Sequence, residues 1–212
     1  MKIAPNPITE TAKNEFSLIR CHRPGICLAG ILLLLLWVAG CAASHQNYRR
    51  SGDPSTNSSG DIREAYLKKI TTLRNDLTKL NGQTDLTEAS QVAETAITYA
   101  DDLVAEYSLV RPAEFHNVLV RIGLKDRGLC YHWTEDLMKQ LQSLELETFQ
   151  LHWGVAYRGS ELREHNSVVI TARDQAFEKG MVLDPWRNSG DLYWALIEKD
   201  TYPWEELPPE EW

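Results

Sequence analysis

Beyond its first 41 residues the chain is almost free of cysteine. Of the four in the 212-residue sequence, Cys21, Cys27 and Cys41 lie at or before position 41, and Cys130 stands alone in the remainder. No disulfide can form within residues 42–212, which excludes a small fold held by disulfides. Positive charge is also scarce: 22 Lys and Arg against 30 Asp and Glu leave a net charge of −8. That balance excludes the electrostatic footprint of a nucleic-acid binder. His132 lies two residues from Cys130, and His152 falls in a strand-like stretch. A single thiol with scattered imidazoles lacks the paired ligand spacing of a zinc site, so neither a metal nor a cofactor is expected. The apolar run Ile26–Cys41 is shorter than the ~20 residues that span a bilayer comfortably.

What is present at the N-terminus is a basic flank of Arg20 and Arg23, then that short apolar run, then small residues. This is the order of a secretory signal. Val38-Ala39-Gly40-Cys41 resembles the lipobox of bacterial lipoproteins. The resemblance implies that residues 1–40 are a signal peptide and that Cys41 becomes the acylated first residue of the exported protein. Ala42 and Ala43 follow with no aspartate, which in lipoproteins implies the outer membrane, with the body facing the periplasm. Residues 1–40 hold four basic and two acidic side chains, so their removal leaves 18 against 28 and a net charge of −10. A body so acidic is not drawn to anionic headgroups; its contact with the membrane would run through the lipid on Cys41. Residues 41–60, polar and rich in Ser, Gly and Asn, are expected to be a flexible tether.

From Asp61 the pattern turns helical. Tyr66, Ile70, Leu73, Leu77 and Leu80 form one apolar stripe that ends near Asn81-Gly82. A second helix starts after Asp85, with Glu88 completing a capping box, and lines up Val92, Ala96, Ala100, Leu103 and Tyr107. Residues 61–107 therefore predict a helical hairpin. Pro112 starts a third helix carrying Phe115, Val118, Leu119 and Ile122, and a fourth holds Trp133, Leu137, Leu141 and Leu144. From Thr148 the period shifts to two: TFQLHWGVAYR, HNSVVITA, GMVLD and DLYWALIE predict four strands before a Pro-rich, acidic C-terminus. Helices followed by hairpin-linked strands make the class α+β. The sheet would pack on the fourth helix, with 108–212 as the core and 61–212 as one folded unit.

Cys130 lies in the first turn of that fourth helix, in DRGLCYHW. Free N–H groups and the macrodipole at a helix N-terminus favour thiolate over thiol, although a buried cysteine can equally be a small hydrophobe. A nucleophilic thiol needs a base, and an imidazole base needs an acceptor on its other nitrogen. His165 begins one predicted strand and Asp184 ends the next, so antiparallel pairing would bring both to the same edge of the sheet. His116, Tyr193, Trp194 and Trp204 are expected to pack, and Trp186 to wall a groove.

Together GLCYHWTEDL, EHNSVVI and VLDPW resemble the transglutaminase-like branch of the papain-like cysteine enzymes over roughly residues 110 to 200. The resemblance implies Cys130 as nucleophile, His165 as general base and Asp184 as its orienter, acting on an amide or peptide bond through a thioester. The substrate would be a peptide, a protein or a cell-wall amide. Trp186, after Asp184-Pro185, also matches the family pattern. The departure is upstream: no glutamine lies between Gln91 and Cys130 to serve as the oxyanion-hole donor of papain-like enzymes, and Asn117 is the only carboxamide in that interval. The alternative expectation is a catalytically silent envelope lipoprotein that holds a partner protein or peptide.

Overall fold

The computed structural model describes residues 58–212. The expected signal peptide, Cys41 and the expected tether up to position 57 lie outside the described residues. Four helices come first: α1 (Ser58–Leu77), α2 (Leu86–Glu106), α3 (Ala113–Arg121) and α4 (Cys130–Gln142). Five strands follow: β1 (Phe149–Ala156), β2 (His165–Ala172), β3 (Met181–Asp184), β4 (Tyr193–Leu196) and β5 (Trp204–Leu207). The strands form one antiparallel sheet in the order β4-β3-β2-β1-β5. The architecture is α+β.

Helix α1 begins at Ser58, inside the stretch expected to be tether. Its stripe does what the spacing predicts: Leu73 and Leu77 are fully buried, with Tyr66, Ile70 and Leu80 packed beside them. They meet the small residues Ala89, Ala93, Ala96 and Ala100 of α2, whose short side chains leave room for larger neighbours. The same core takes in Leu137, Met138 and Leu141 of α4 and Val168, Ile170 and Leu183 of the sheet. The hairpin and the α+β part thus share one hydrophobic interior.

The start of α2 differs from a capping box. Asp85 caps as expected, its carboxylate accepting from the Glu88 N–H at 2.9 Å. The Glu88 carboxylate turns instead to the entrance of β1. There it accepts from the backbone N–H groups of Glu147 (2.7 Å) and Thr148 (2.9 Å) and from Thr148 Oγ1 (2.7 Å). Thr148 Oγ1 in turn accepts the Asp85 N–H at 3.0 Å, the bond that a capping box would have formed locally. Three donors from a distant segment outcompete one from the preceding turn.

Helix α3 is the larger correction. Phe115, Val118 and Ile122 of its apolar stripe are exposed, by 48%, 48% and 62%. The face turned inward carries Ala113 and His116, both fully buried. Periodicity located the helix but chose the wrong face, because a buried histidine with two hydrogen-bond partners took the inward position.

Strand β2 is central, and all eight of its residues are buried, as suits a β-branched run covered on both faces. On one side Val168 and Ile170 meet α4; on the other Val169 packs with Val182, Phe177 and Trp204. β3 pairs with β2 through Val168↔Leu183 and Ile170↔Met181. The start of β2 therefore lies beside the end of β3. The fifth strand was not expected. In β5, Ala156↔Trp204 and Trp153↔Leu207 join it to β1. Pro203 and Pro208 bracket it and Glu205 and Glu206 stay exposed, a composition that suits an edge strand and hides it in sequence.

Candidate active site

Two buried histidines shape the turn that delivers Cys130. The His116 Nδ1 accepts the Val110 N–H at 3.1 Å, which leaves its protonated Nε2 to donate to the Arg127 carbonyl at 2.9 Å. Gly128 lies against that ring: its φ is +121°, and a Cβ there would come within 2.4 Å of His116 Nε2. The Gly128 carbonyl accepts the Trp133 indole N–H at 2.9 Å. His132 folds back on the helix start, its Nδ1 accepting the N–H groups of Gly128 (3.1 Å) and Leu129 (3.2 Å). An imidazole thus does the capping for which Leu129, the residue before the helix, has no side-chain acceptor.

Cys130 is consequently the first residue of α4, where a backbone N–H has no partner within the helix and the macrodipole is positive. Its thiol is half-buried. Around it converge the side chains of His165 and Asn166, the latter with Nδ2 at 3.9 Å from Sγ, and the Glu164 carbonyl at 3.8 Å. His165 Nε2 donates to Asp184 Oδ2 at 2.7 Å, so Nδ1 is the nitrogen left for the thiol. The structure therefore brings the expected Cys130, His165 and Asp184 together.

The electrostatics push this pair toward thiolate and imidazolium. Burial alone would raise the Cys130 thiol, but the hydrogen bond and charge of His165, with Asn166 behind them, hold it below the usual thiol range. Burial would likewise lower His165. The Asp184 carboxylate and the Cys130 thiolate overcome it and push the imidazole up to about 9.

Asp184 is fully buried and fully satisfied. Its Oδ1 accepts the N–H groups of Trp186 and Arg187, each at 3.1 Å, and its Oδ2 accepts Arg187 Nε at 2.9 Å besides the His165 bond. Arg187 continues outward as a fork, with Nη1 and Nη2 each 2.9 Å from an Asp200 oxygen. Its guanidinium lies over Tyr193 at 4.1 Å and Tyr202 at 4.2 Å from the ring centroids. Asp200 is closed off by the Trp204 indole at 2.9 Å. The C-terminal segment thus braces the orienting carboxylate.

The thiol opens on a groove of about 580 Å³ whose walls include Asn117, Cys130, His165, Asn166, Trp186 and Tyr202. Trp186 tilts against the His165 ring at 4.9 Å and donates its indole N–H to Asn117 Oδ1 at 3.1 Å. Asn117 is therefore a wall residue that fixes Trp186, and among the described residues no hydrogen bond joins it to Cys130. Tyr202 and Trp204 complete the aromatic cage around His165 at 5.4 and 5.6 Å. His132 and His152 both spend ring nitrogens elsewhere, His132 on the helix cap and His152 on Glu206 and Thr171.

Asn166, Arg187, Asp200 and Tyr202 escaped the sequence argument. Adjacency to His165 and to Asp184 was the available signal for the first two; for Asp200 and Tyr202, contributed from far along the chain, there was none. The assembly offers a nucleophile of lowered pKa, a base within reach and a desolvated carboxylate behind it, the elements of acyl transfer through a covalent intermediate. No protein-family model, curated protein or solved structure matches this chain.

Proposed function

We propose that the chain is a cysteine hydrolase of transglutaminase-like fold that cleaves an amide or peptide bond, held in the bacterial envelope by a lipid on Cys41. The observation that carries the catalytic part is the line from Cys130 through His165 to Asp184, at the mouth of an open groove. The lipid anchor and outer-membrane site rest on Val38-Ala39-Gly40-Cys41 and the residues after it.

In this mechanism the Cys130 thiolate attacks the carbonyl carbon, a C–S bond forms and the C=O electron pair moves onto oxygen. Collapse of that intermediate breaks the C–N bond as the His165 imidazolium gives its proton to the departing amine. The product is a thioester on Cys130. Water, deprotonated by the now neutral His165, attacks the thioester, and the thiolate leaves with the carboxylic acid released. Asp184 keeps Nε2 protonated and Nδ1 directed at the thiol, while Trp186 shields one side of the acyl group from bulk water.

p-Nitrophenyl acetate tests the reading without knowledge of the natural substrate. A stoichiometric burst of nitrophenolate, with the acetyl group mapped to Cys130 by mass spectrometry and lost on standing, is expected. A wild-type protein that forms no acyl-enzyme would contradict it.

A further inference from the structure

Asn166 follows His165 directly on β2, yet the two approach the thiol from opposite sides of the strand. By alternation Asn166 shares the face of Val168 and Ile170, the one that packs on α4, whereas His165 shares that of Val169. Trp153 of β1 stands opposite Val168 in the register, so it is a diagonal neighbour of Asn166 on that same face. Its indole N–H donates to Asn166 Oδ1 at 2.8 Å. An indole can only donate, so this bond fixes which end of the carboxamide is which: oxygen toward Trp153, NH2 toward Cys130. The Nδ2–Sγ distance is 3.9 Å, long for a bond to sulfur and wide enough for an oxygen on the carbon that sulfur attacks. Asn166 is 8% exposed, so little water competes for the amide.

Given the acyl-transfer reading above, we infer that Asn166, clamped by Trp153, is the side-chain donor of the oxyanion hole. Its Nδ2–H and the Cys130 backbone N–H meet the oxygen of the tetrahedral intermediate. The donor missing upstream of the nucleophile is thus supplied from downstream, on the strand that also carries the base. Asn117 has its oxygen held by Trp186, but it is the Asn166 amide, not that of Asn117, that the structure places against Cys130 Sγ.

The test separates two reactions of the same thiol. Acetylation by p-nitrophenyl acetate passes through an oxyanion; alkylation by iodoacetamide displaces iodide directly and builds none. Asn166→Ala should slow the acetylation burst by roughly 100-fold, the typical effect of losing one such donor. Iodoacetamide alkylation, measured at a pH where the thiol is fully ionised in both proteins, should change less than about threefold. Trp153→Phe, which keeps the ring and removes the N–H, should show a smaller loss of the same selective kind. Equal loss of both reactions, or loss of neither, in Asn166→Ala would overturn the assignment while leaving the cysteine hydrolase intact. Absence of any burst in wild type would overturn both. Circular dichroism of each variant identifies a folding defect; should Asn166→Ala fail to fold, Trp153→Phe decides by the same comparison.

Discussion

Replacing Arg187 by Met removes the cation between two buried carboxylates. The side chain of Asp184 is 0% exposed, that of Asp200 1% and that of Arg187 itself 16%, so solvent cannot stand in for what is lost. Breaking such a pair from one side costs about 3–5 kcal/mol, because the partner stays buried and charged. Here the lower end applies. Asp184 keeps His165 and two backbone donors, and Asp200 keeps the Trp204 indole and the Thr201 N–H. A loss of about 3 kcal/mol in a chain of this size lowers Tm by roughly 6–12 °C. Urea unfolding and thermal melts at pH 7 measure it.

The pH dependence has a definite sign. Burial would raise the Asp200 carboxyl, but Arg187 and Trp204 hold it below the usual range. Its contribution is present above the ordinary carboxylate pKa and disappears as pH falls through the lower folded value, so the gap between wild type and Arg187→Met narrows in acid. Asp200→Asn added to Arg187→Met should regain part of the stability by removing one uncompensated charge. A cost below about 1 kcal/mol at pH 7, or a gap that widens in acid, would refute the electrostatic account.

Gly128→Ala combines a φ of +121° with a Cβ 2.4 Å from His116 Nε2, so a loss of about 1–3 kcal/mol and slower Cys130 alkylation are expected from chemical unfolding and thiol kinetics. Glu88→Ala removes the acceptor for three donors at the entrance of β1, and about 2 kcal/mol should be lost at pH 7. Burial opposes ionisation of Glu88, but bonds from Thr148 and Glu147 hold its carboxyl below the ordinary range. Its stabilisation is therefore lost as pH falls through that lower value, and urea curves of wild type and variant should converge as pH drops below the ordinary carboxylate range.

The parts of the fold legible in sequence are those where one pattern dominates. β2 is a β-branched run bounded by polar residues, and its expected limits, His165 to Ala172, are the observed ones. The faces of α1 and α2 followed from spacing because nothing but packing decides them. α3 failed because its inward face is chosen by the hydrogen bonds of His116, and hydropathy does not register them. β5 was hidden by its flanking prolines and acidic residues.

At the site, Cys130, His165 and Asp184 were accessible from helix start, strand start and strand end. The brace of Arg187, Asp200 and Trp204, and the clamp of Trp153 on Asn166, were not. Each depends on pairing between segments that are distant or on opposite strands, which a single sequence does not display.

The central claim is that Cys130 and His165 form an ion pair, and the pH profile of Cys130 alkylation by iodoacetamide tests it most directly. In wild type the reaction should outpace that of a model thiol at mildly acidic pH, and should change again near pH 9 as the imidazolium loses its proton. His165→Ala should shift the onset upward to the range of a buried, unassisted thiol, at or above about 8.5, and remove the step near pH 9. Coincident profiles for the two proteins, both rising only in the ordinary thiol range, would contradict the account.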